Sequence, residues 1–385
     1  MSMLECFGQE GALVRLQKAL RSGRVPHGYI FHGPEGVGKG LMARLWAKRQ
    51  LCERPLRRPW PGDIKVTDAG KDVSEFIDSC DRCPDCRLAD AGTHPDLHII
   101  EKELAKYTKK KRERQLIDLP IDVVREFVIE PAGICPARGR ARIFIIEQAQ
   151  SMNQEAQNAL LKTLEEPPPR TFLLLITSGT EQLLPTIRSR CQSVRFAALP
   201  ENYVYSRLEQ IGLDEVQAAY WADLCQGRLG AALLLAQMKI YPHKCRLVER
   251  FAQLDHRSVL TLAGELVELA KKYAQDYTET HRDLSQGDAE RQGQMQWLDI
   301  IAHTYGAALK LAVTGSESPV GRFDQCETLK RMAGEYGPLG CGEAIRATFR
   351  ARALLQANVN PTLVFETLLL EYLGYASSGW NDYDG

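Results

Sequence analysis

The 385-residue sequence predicts an α/β region over residues 1–199, a parallel sheet with helices on both faces, followed by helices to the end of the chain. Three observations carry this. Strand-like and helix-like apolar patterns alternate up to about residue 196. The string Gly33-Pro34-Glu35-Gly36-Val37-Gly38-Lys39-Gly40 stands between a short apolar strand and a helix. Strand signals stop after Leu199-Pro200. At roughly 150 residues per domain, the length allows two to three domains.

Taken in order, Leu13, Leu16 and Leu20 share one helical face, and Tyr29-Ile30-Phe31 reads as a strand feeding the glycine-rich loop. A helix starts near Leu41. Segments 53–79 and 101–118 lack a strong period and read as surface insertions. Arg142–Ile146, running into Glu147, and Thr171–Thr177 are further strands, and their continuous apolar character suits a parallel sheet buried on both faces. Glu165, Glu166 and Pro167–Pro169 stop a helix and shape a turn. Three short helical patterns follow over 201–240 around Gly212 and Gly227, and Tyr241-Pro242 breaks the last. Beyond 245, Val259, Leu262, Leu266 and Leu269 share a face, as do Leu363, Leu370 and Leu373, so both sets read as helix-packing surfaces. The tail from Ser377 reads as frayed.

Lys plus Arg equals Asp plus Glu at 49 each, so no global field draws the chain to nucleic acid or membrane, and such binding must be local. The basic run Lys106, Lys109, Lys110, Lys111, Arg112 and Arg114 could touch phosphates, but without interleaved aromatics a solvated loop is preferred. The longest strongly apolar run, Phe172–Ile176, is far short of the ~18 residues of a membrane span. The first residues lack a basic segment followed by an apolar one, so a cytoplasmic location with no membrane partner is expected. An odd count of 11 cysteines in a reducing compartment fits free thiols plus a metal site.

Two motifs carry chemistry. In the loop, Gly33, Gly36 and Gly38 let backbone N–H groups converge on phosphate oxygens, and Lys39 adds a point charge. Gly40, however, stands where a Ser or Thr hydroxyl normally holds Mg²⁺. After the second strand, Glu147 could hold metal, but Gln148 has no proton affinity for base catalysis. A retained fold element therefore stands beside ATP binding and ahead of hydrolysis. Cys80-x2-Cys83-x2-Cys86 with upstream Cys52 offers four thiolates for a closed, structural Zn²⁺ site, with His94 competing for the fourth position and an Fe–S cluster as the less supported alternative.

The strings RVPHGYIFHGPEGVGKG, CxxCxxC followed by AGTHPD, NQEAQNALLKTLEEPPPRTFLLLITSGTEQLLPTIRSRCQ and NVNPTLVFETLLLEYL together resemble the clamp-loader subunits of bacterial DNA polymerase III, within the AAA+ family. The resemblance implies an AAA+ core over 1–199 with an inserted zinc module at about 52–86, a helical lid over 200–241 and a helical collar over 242–385. It also implies a ring with tau/gamma and delta subunits that loads a sliding clamp at primer–template DNA. Arg190, within Ser189-Arg190-Cys191, matches the arginine that reaches a neighbour's ATP, while Thr177 and Ser178 match the sensor strand end. Gly230 in CQGRLGAAL replaces the arginine that senses γ-phosphate in active subunits. With Gly40 and Gln148 this makes three departures, which favour the delta-prime kind with no ATPase of its own. The alternatives are an active tau/gamma-like ATPase and a zinc-dependent DNA-binding protein.

Overall fold

A computed structural model describes residues 2–60, 67–68, 71–72, 75–109, 118–280, 285–315 and 325–377. The chain divides into two compact units, Met1–Pro200 with Gly227–Ala231, and Glu201–Gln226 with Ala232–Gly385. The first contains α1 (Glu10–Ser22), β1 (Gly28–His32), α2 (Lys39–Leu51), β2 (Leu56–Pro59), β3 (Thr67–Asp68), β4 (Lys71–Asp72), β5 (Glu75–Asp78) and α3 (Pro84–Asp90). Then come β6 (Leu97–Ile100), α4 (Ile121–Val124), α5 (Glu130–Ala132), β7 (Arg142–Ile146), α6 (Gln154–Glu165), β8 (Thr171–Thr177), α7 (Pro185–Arg188) and β9 (Gln192–Arg195).

The five sheet strands lie in the order β6-β7-β8-β1-β9, all parallel. β1 is flanked on both sides, with Tyr29 level with Leu174 of β8 and Gln192 of β9. Alternation along β1 splits the core. Tyr29 and Phe31 join Leu13, Leu16, Met42 and Trp46 on one face, while Ile30 joins Val124, Leu160 and Ile146 on the other. Trp46 meets Tyr29 edge-on at 5.3 Å between ring centroids and Phe172 at 5.5 Å. Each such buried side chain stabilises the fold by roughly 1.5–3 kcal/mol.

Segment 53–79 is more than a surface insertion. β2 and β5 form an antiparallel ladder, Phe76 and Ile77 are buried in the core, and Gln17 of α1 both donates to the Ile77 carbonyl and accepts from its amide, each at 2.8 Å. Four residues of strand are too few to show a period. In segment 101–118, Lys102–Tyr107 forms a 3-10 turn with Ala105 buried, and Lys109 pairs with Glu130 at 3.8 Å. Lys110, Lys111, Arg112 and Arg114 lie outside the described residues, as does the tail from Ser378.

Asp96, fully buried before β6, accepts from the amides of Ala137 (2.7 Å) and Arg138 (2.9 Å) and from Arg142 Nη2 (3.1 Å). Burial pushes the Asp96 carboxyl up, but those amides and the guanidinium outweigh it and hold it below the usual carboxylate range. The pair ties the start of β7 to the turn before it.

The second unit is all-helical. It comprises α8 (Glu201–Gln210), α9 (Glu215–Cys225), α10 (Leu229–Gln237, whose first residues belong to the first unit), α11 (Tyr241–Phe251), α12 (Val259–Thr280), α13 (Gln286–Thr314), α14 (Cys326–Gln356) and α15 (Pro361–Ser377). Pro242 opens α11 at its first turn, where its missing N–H costs nothing. Gly337, at φ 60°, and Pro338 break α14 into two helical pieces. Val259, Leu262 and Leu266 are buried as expected. Of the expected stripe, Leu363 and Leu370 are 58% and 51% exposed and Leu373 is half-buried, so among the described residues the main packing face lies elsewhere on this helix. α15 is apolar on more than one face, and the one turned to α12 and α14 carries Val364, Phe365, Leu368, Leu369 and Tyr372. Among the described residues, no helix is long and apolar enough to cross a membrane.

Asp96→Asn should lower stability to urea by about 3–5 kcal/mol, because Arg142 is left buried without its counter-charge. Because the folded-state value of Asp96 lies below the unfolded one, its contribution is complete above about pH 4 and is lost as the pH falls through the folded value. The variant's stability should therefore fall less steeply on acidification than that of the unaltered protein.

Candidate phosphate loop, metal centre and arginine

The loop 33–40 leaves the carboxyl end of β1, where the chain reverses into the amino end of α2. That edge, beside the point where the strand order turns back, is where open α/β sheets bind ligands. Gly33 has φ 141°, and a Cβ there would lie 2.1 Å from the Phe196 carbonyl oxygen, so only glycine fits. Lys39 is 6% exposed and folds back onto its own loop, donating to the carbonyls of Gly33 and Pro34 at 2.6 Å each. Burial lowers its pKa, while Glu35 and Glu147 pull it back up.

Gly230 donates its amide to the Gly36 carbonyl at 2.8 Å. A Cβ on Gly230 would lie 3.1 Å from the Gly36 Cα, so a side chain at this position would press on the loop. At Gly40 the crowding comes from a side chain: a Cβ there would sit 3.0 Å from Glu147 Oε1. Glu147 itself faces Arg44 at 3.5 Å. Burial raises its pKa, against the pull of Arg44. Gln148 is exposed at φ 48° in the following turn. Thr177, buried at the end of β8, donates its hydroxyl to the Gly179 carbonyl at 2.7 Å, and Ser178 is exposed beside it. Gly33, Gly36, Gly38, Lys39, Gly40, Glu147 and Thr177 thus gather at one edge of the sheet.

Arg190 does not join them. It follows α7 and precedes β9 at the amino end of β1, where its carbonyl oxygen would lie 3.5 Å from a Cβ on Gly28 and the Cys191 thiol 2.9 Å from it. Gly28 and Gly33 are five residues apart along the strand, about 16 Å of rise. Its guanidinium pairs with Glu165 at 2.6 Å and donates to the Thr186 carbonyl at 3.0 Å.

Cys52, Cys80, Cys83 and Cys86 place their sulfurs within 4.8 Å of one another. The Cys80–Cys86 and Cys52–Cys83 separations are 3.9 Å and 4.0 Å. A tetrahedron with metal–sulfur bonds of about 2.3 Å has edges of about 3.8 Å, so the spacing fits one metal ion and is far too wide for disulfides. Amides of Cys80, Cys83 and Cys86 donate to the sulfurs of Cys52, Cys80 and Cys83 at 3.3–3.4 Å. Burial raises the Cys80 thiol, but the amides of Arg82 and Cys83 outweigh it and bring its pKa down to about 6, whereas burial pushes the Cys52 and Cys86 thiols up. His94 is elsewhere, with Nε2 3.3 Å from Asp85 Oδ1 and Nδ1 accepting the Asp96 amide. The β2–β5 register, Leu56 opposite Asp78, explains how the long insertion closes: it returns the chain from Cys52 to Cys80.

The sequence did not reveal what anchors this module. Lys48 of α2 is 2% exposed on its side chain and reaches Asp81 and Asp90 at 2.7 Å each, one on either side of Cys83 and Cys86. A lysine on a helix normally reads as a solvated face. Glu165 and Arg44 were equally illegible as partners of Arg190 and Glu147, since pairing across elements leaves no local pattern.

A family model for the DNA polymerase III delta subunit matches residues 8–200. The chain is 39% identical to the DNA polymerase III subunit delta' of Pseudomonas aeruginosa over 165 residues, covering 43% of this chain and 41% of that protein. It is 33% identical to the subunit tau of Escherichia coli over 243 residues, covering 61% and 32%. With the subunit delta' of Bacillus subtilis the identity is 24% over 358 residues, and the coverage 92% and 93%. The chain thus spans less than half the length of the first two of these relatives and nearly all of the third. It belongs to the DNA polymerase III delta subunit family, as a delta-prime-like member.

Proposed function

We propose that this chain is a non-hydrolysing subunit of a clamp loader, assembled with tau/gamma and delta subunits in the cytoplasm, and that it supplies Arg190 to the ATP site of a neighbouring subunit while the ring loads a sliding clamp onto primer–template DNA. The observation that carries the reading is the position of Arg190 at the opposite end of β1 from the loop at Gly33–Gly40. It cannot reach a nucleotide held by its own loop, so a phosphate it stabilises belongs to another subunit. Guanidinium groups brought to a γ-phosphate in this way are worth about 10³–10⁵ in rate in well-studied NTPases.

The chain's own loop supports the non-hydrolysing half of the reading. Gly40 offers no hydroxyl, Gln148 no base, and Gly230 no sensing guanidinium, while Lys39 donates to the carbonyls of its own loop. ATP and Mg²⁺ are therefore not assigned to this loop. The four cysteines hold a structural Zn²⁺, whose closed coordination gives no position to a substrate. In the assembled ring, residues 1–199 serve as the AAA+ core, 200–241 as a lid and 242–385 as a collar.

The isolated chain should hydrolyse ATP no faster than background, and turnover abolished by Lys39→Ala would overturn the reading. In a reconstituted loader, Arg190→Ala should reduce clamp- and DNA-stimulated hydrolysis at least tenfold at the affected site while the ring still assembles on gel filtration. Elemental analysis should find one zinc per chain. Cys86→Ser should lose the metal and lower the melting temperature, and a zinc-free wild-type chain of unchanged melting temperature would remove the metal's structural role.

A further inference from the structure

We propose that Glu165 is a clasp on Arg190: it holds and neutralises the guanidinium until the more highly charged terminal phosphate of a neighbour's nucleotide displaces it. The inference rests on the reading of Arg190 as acting in trans. Glu165 is a positioning residue, since it acts only through Arg190.

Glu165 is the last residue of α6, and Glu166 caps the helix. Two carboxylates therefore stand at a helix C-terminus, where the helix dipole disfavours negative charge. Breaches of a local rule concentrate where another contact makes use of them. Here that contact is explicit: Glu165 Oε1 lies 2.6 Å from Arg190 Nη2, within charge-assisted hydrogen-bond range. Arg190 Nη1 donates to the Thr186 carbonyl at 3.0 Å and to Ser189 Oγ at 3.3 Å. Three acceptors thus fix the fork, and only one of them is charged.

The carboxylate matters because of what hydrolysis asks of the arginine. Water attacks the γ-phosphorus, the bond to the β–γ bridging oxygen breaks, and the charge carried away by ADP and phosphate must be offset as it develops. A guanidinium already paired with a carboxylate offers little net charge for that task. The side chains of Arg190 and Glu165 are 35% and 49% exposed, so the pair is solvated and exchangeable. Such exposed pairs are worth only about 1.5- to 5-fold in an equilibrium, enough to restrain the arginine without preventing its capture by phosphate.

Glu165→Gln keeps the size and one acceptor oxygen and removes the charge. In a reconstituted loader at low ionic strength, without clamp or DNA, it should raise ATP hydrolysis roughly 1.5- to 5-fold. The difference from wild type should shrink as salt is raised, because exposed charges are screened. The double variant with Arg190→Ala should hydrolyse at the rate of Arg190→Ala alone. In the isolated chain, NMR should show faster hydrogen exchange of the Arg190 side-chain N–H groups in the Gln variant. Hydrolysis by Glu165→Gln equal to or slower than wild type at low salt, or an added effect in the double variant, would overturn the clasp. Failure of the trans reading is separate: it would appear as Arg190→Ala hydrolysing like wild type.

Discussion

The place of β1 between two parallel neighbours governs the rest of the first unit. Because β8 and β9 flank it in parallel, its two ends open onto opposite edges, and whatever follows each strand collects at one of them. The loop, Glu147 and Thr177 fall at the carboxyl edge; Arg190 and Glu165 fall at the other. A glycine at each end of the strand admits close approach by the segment beyond β9 at Gly33 and the one before it at Gly28. This topology separates the glycine-rich loop from an arginine that would otherwise be read as its partner.

The cysteine module depends on two further constraints that act at different ranges. The β2–β5 ladder brings Cys52 to the other three cysteines across a long excursion of the chain. Lys48 then fixes the module to α2, the helix that begins at the loop, through Asp81 and Asp90. Both aspartates are partly exposed, so solvent screens the attraction, and burial of the lysine stem contributes alongside the charge. The cysteine cluster and the loop are therefore tied to the same helix.

The core of the second unit includes an aromatic cluster. Tyr305 packs on Tyr372 at 4.7 Å and on Tyr336 at 5.3 Å, and the Tyr372 hydroxyl is satisfied by Thr348 at 2.6 Å. Lys244, buried nearby in the same unit, lies 4.1 Å above the Tyr220 ring. The leucine stripe at 363 and 370 shows the limit of periodicity. When a helix is apolar on more than one side, spacing identifies faces but not which face meets a neighbour.

Legibility in the sequence followed the range of the physics. The strand at Tyr29–Phe31, the two later strands, the glycine loop and the CxxCxxC spacing are local: backbone conformation, period and ligand geometry are written within a few residues, and the structure has each of them. The β5 strand, the pairing of Lys48 with Asp81 and Asp90, and the pairing of Glu165 with Arg190 join residues that are distant in sequence. Their energies come from burial and charge proximity that exist only once the sheet has assembled. The sequence by itself therefore determined the α/β core, the helical remainder and the chemical inventory of the loop and the cysteine cluster. Only the tertiary structure decided which groups meet, because parallel strand order alone sets which end of the sheet each loop reaches.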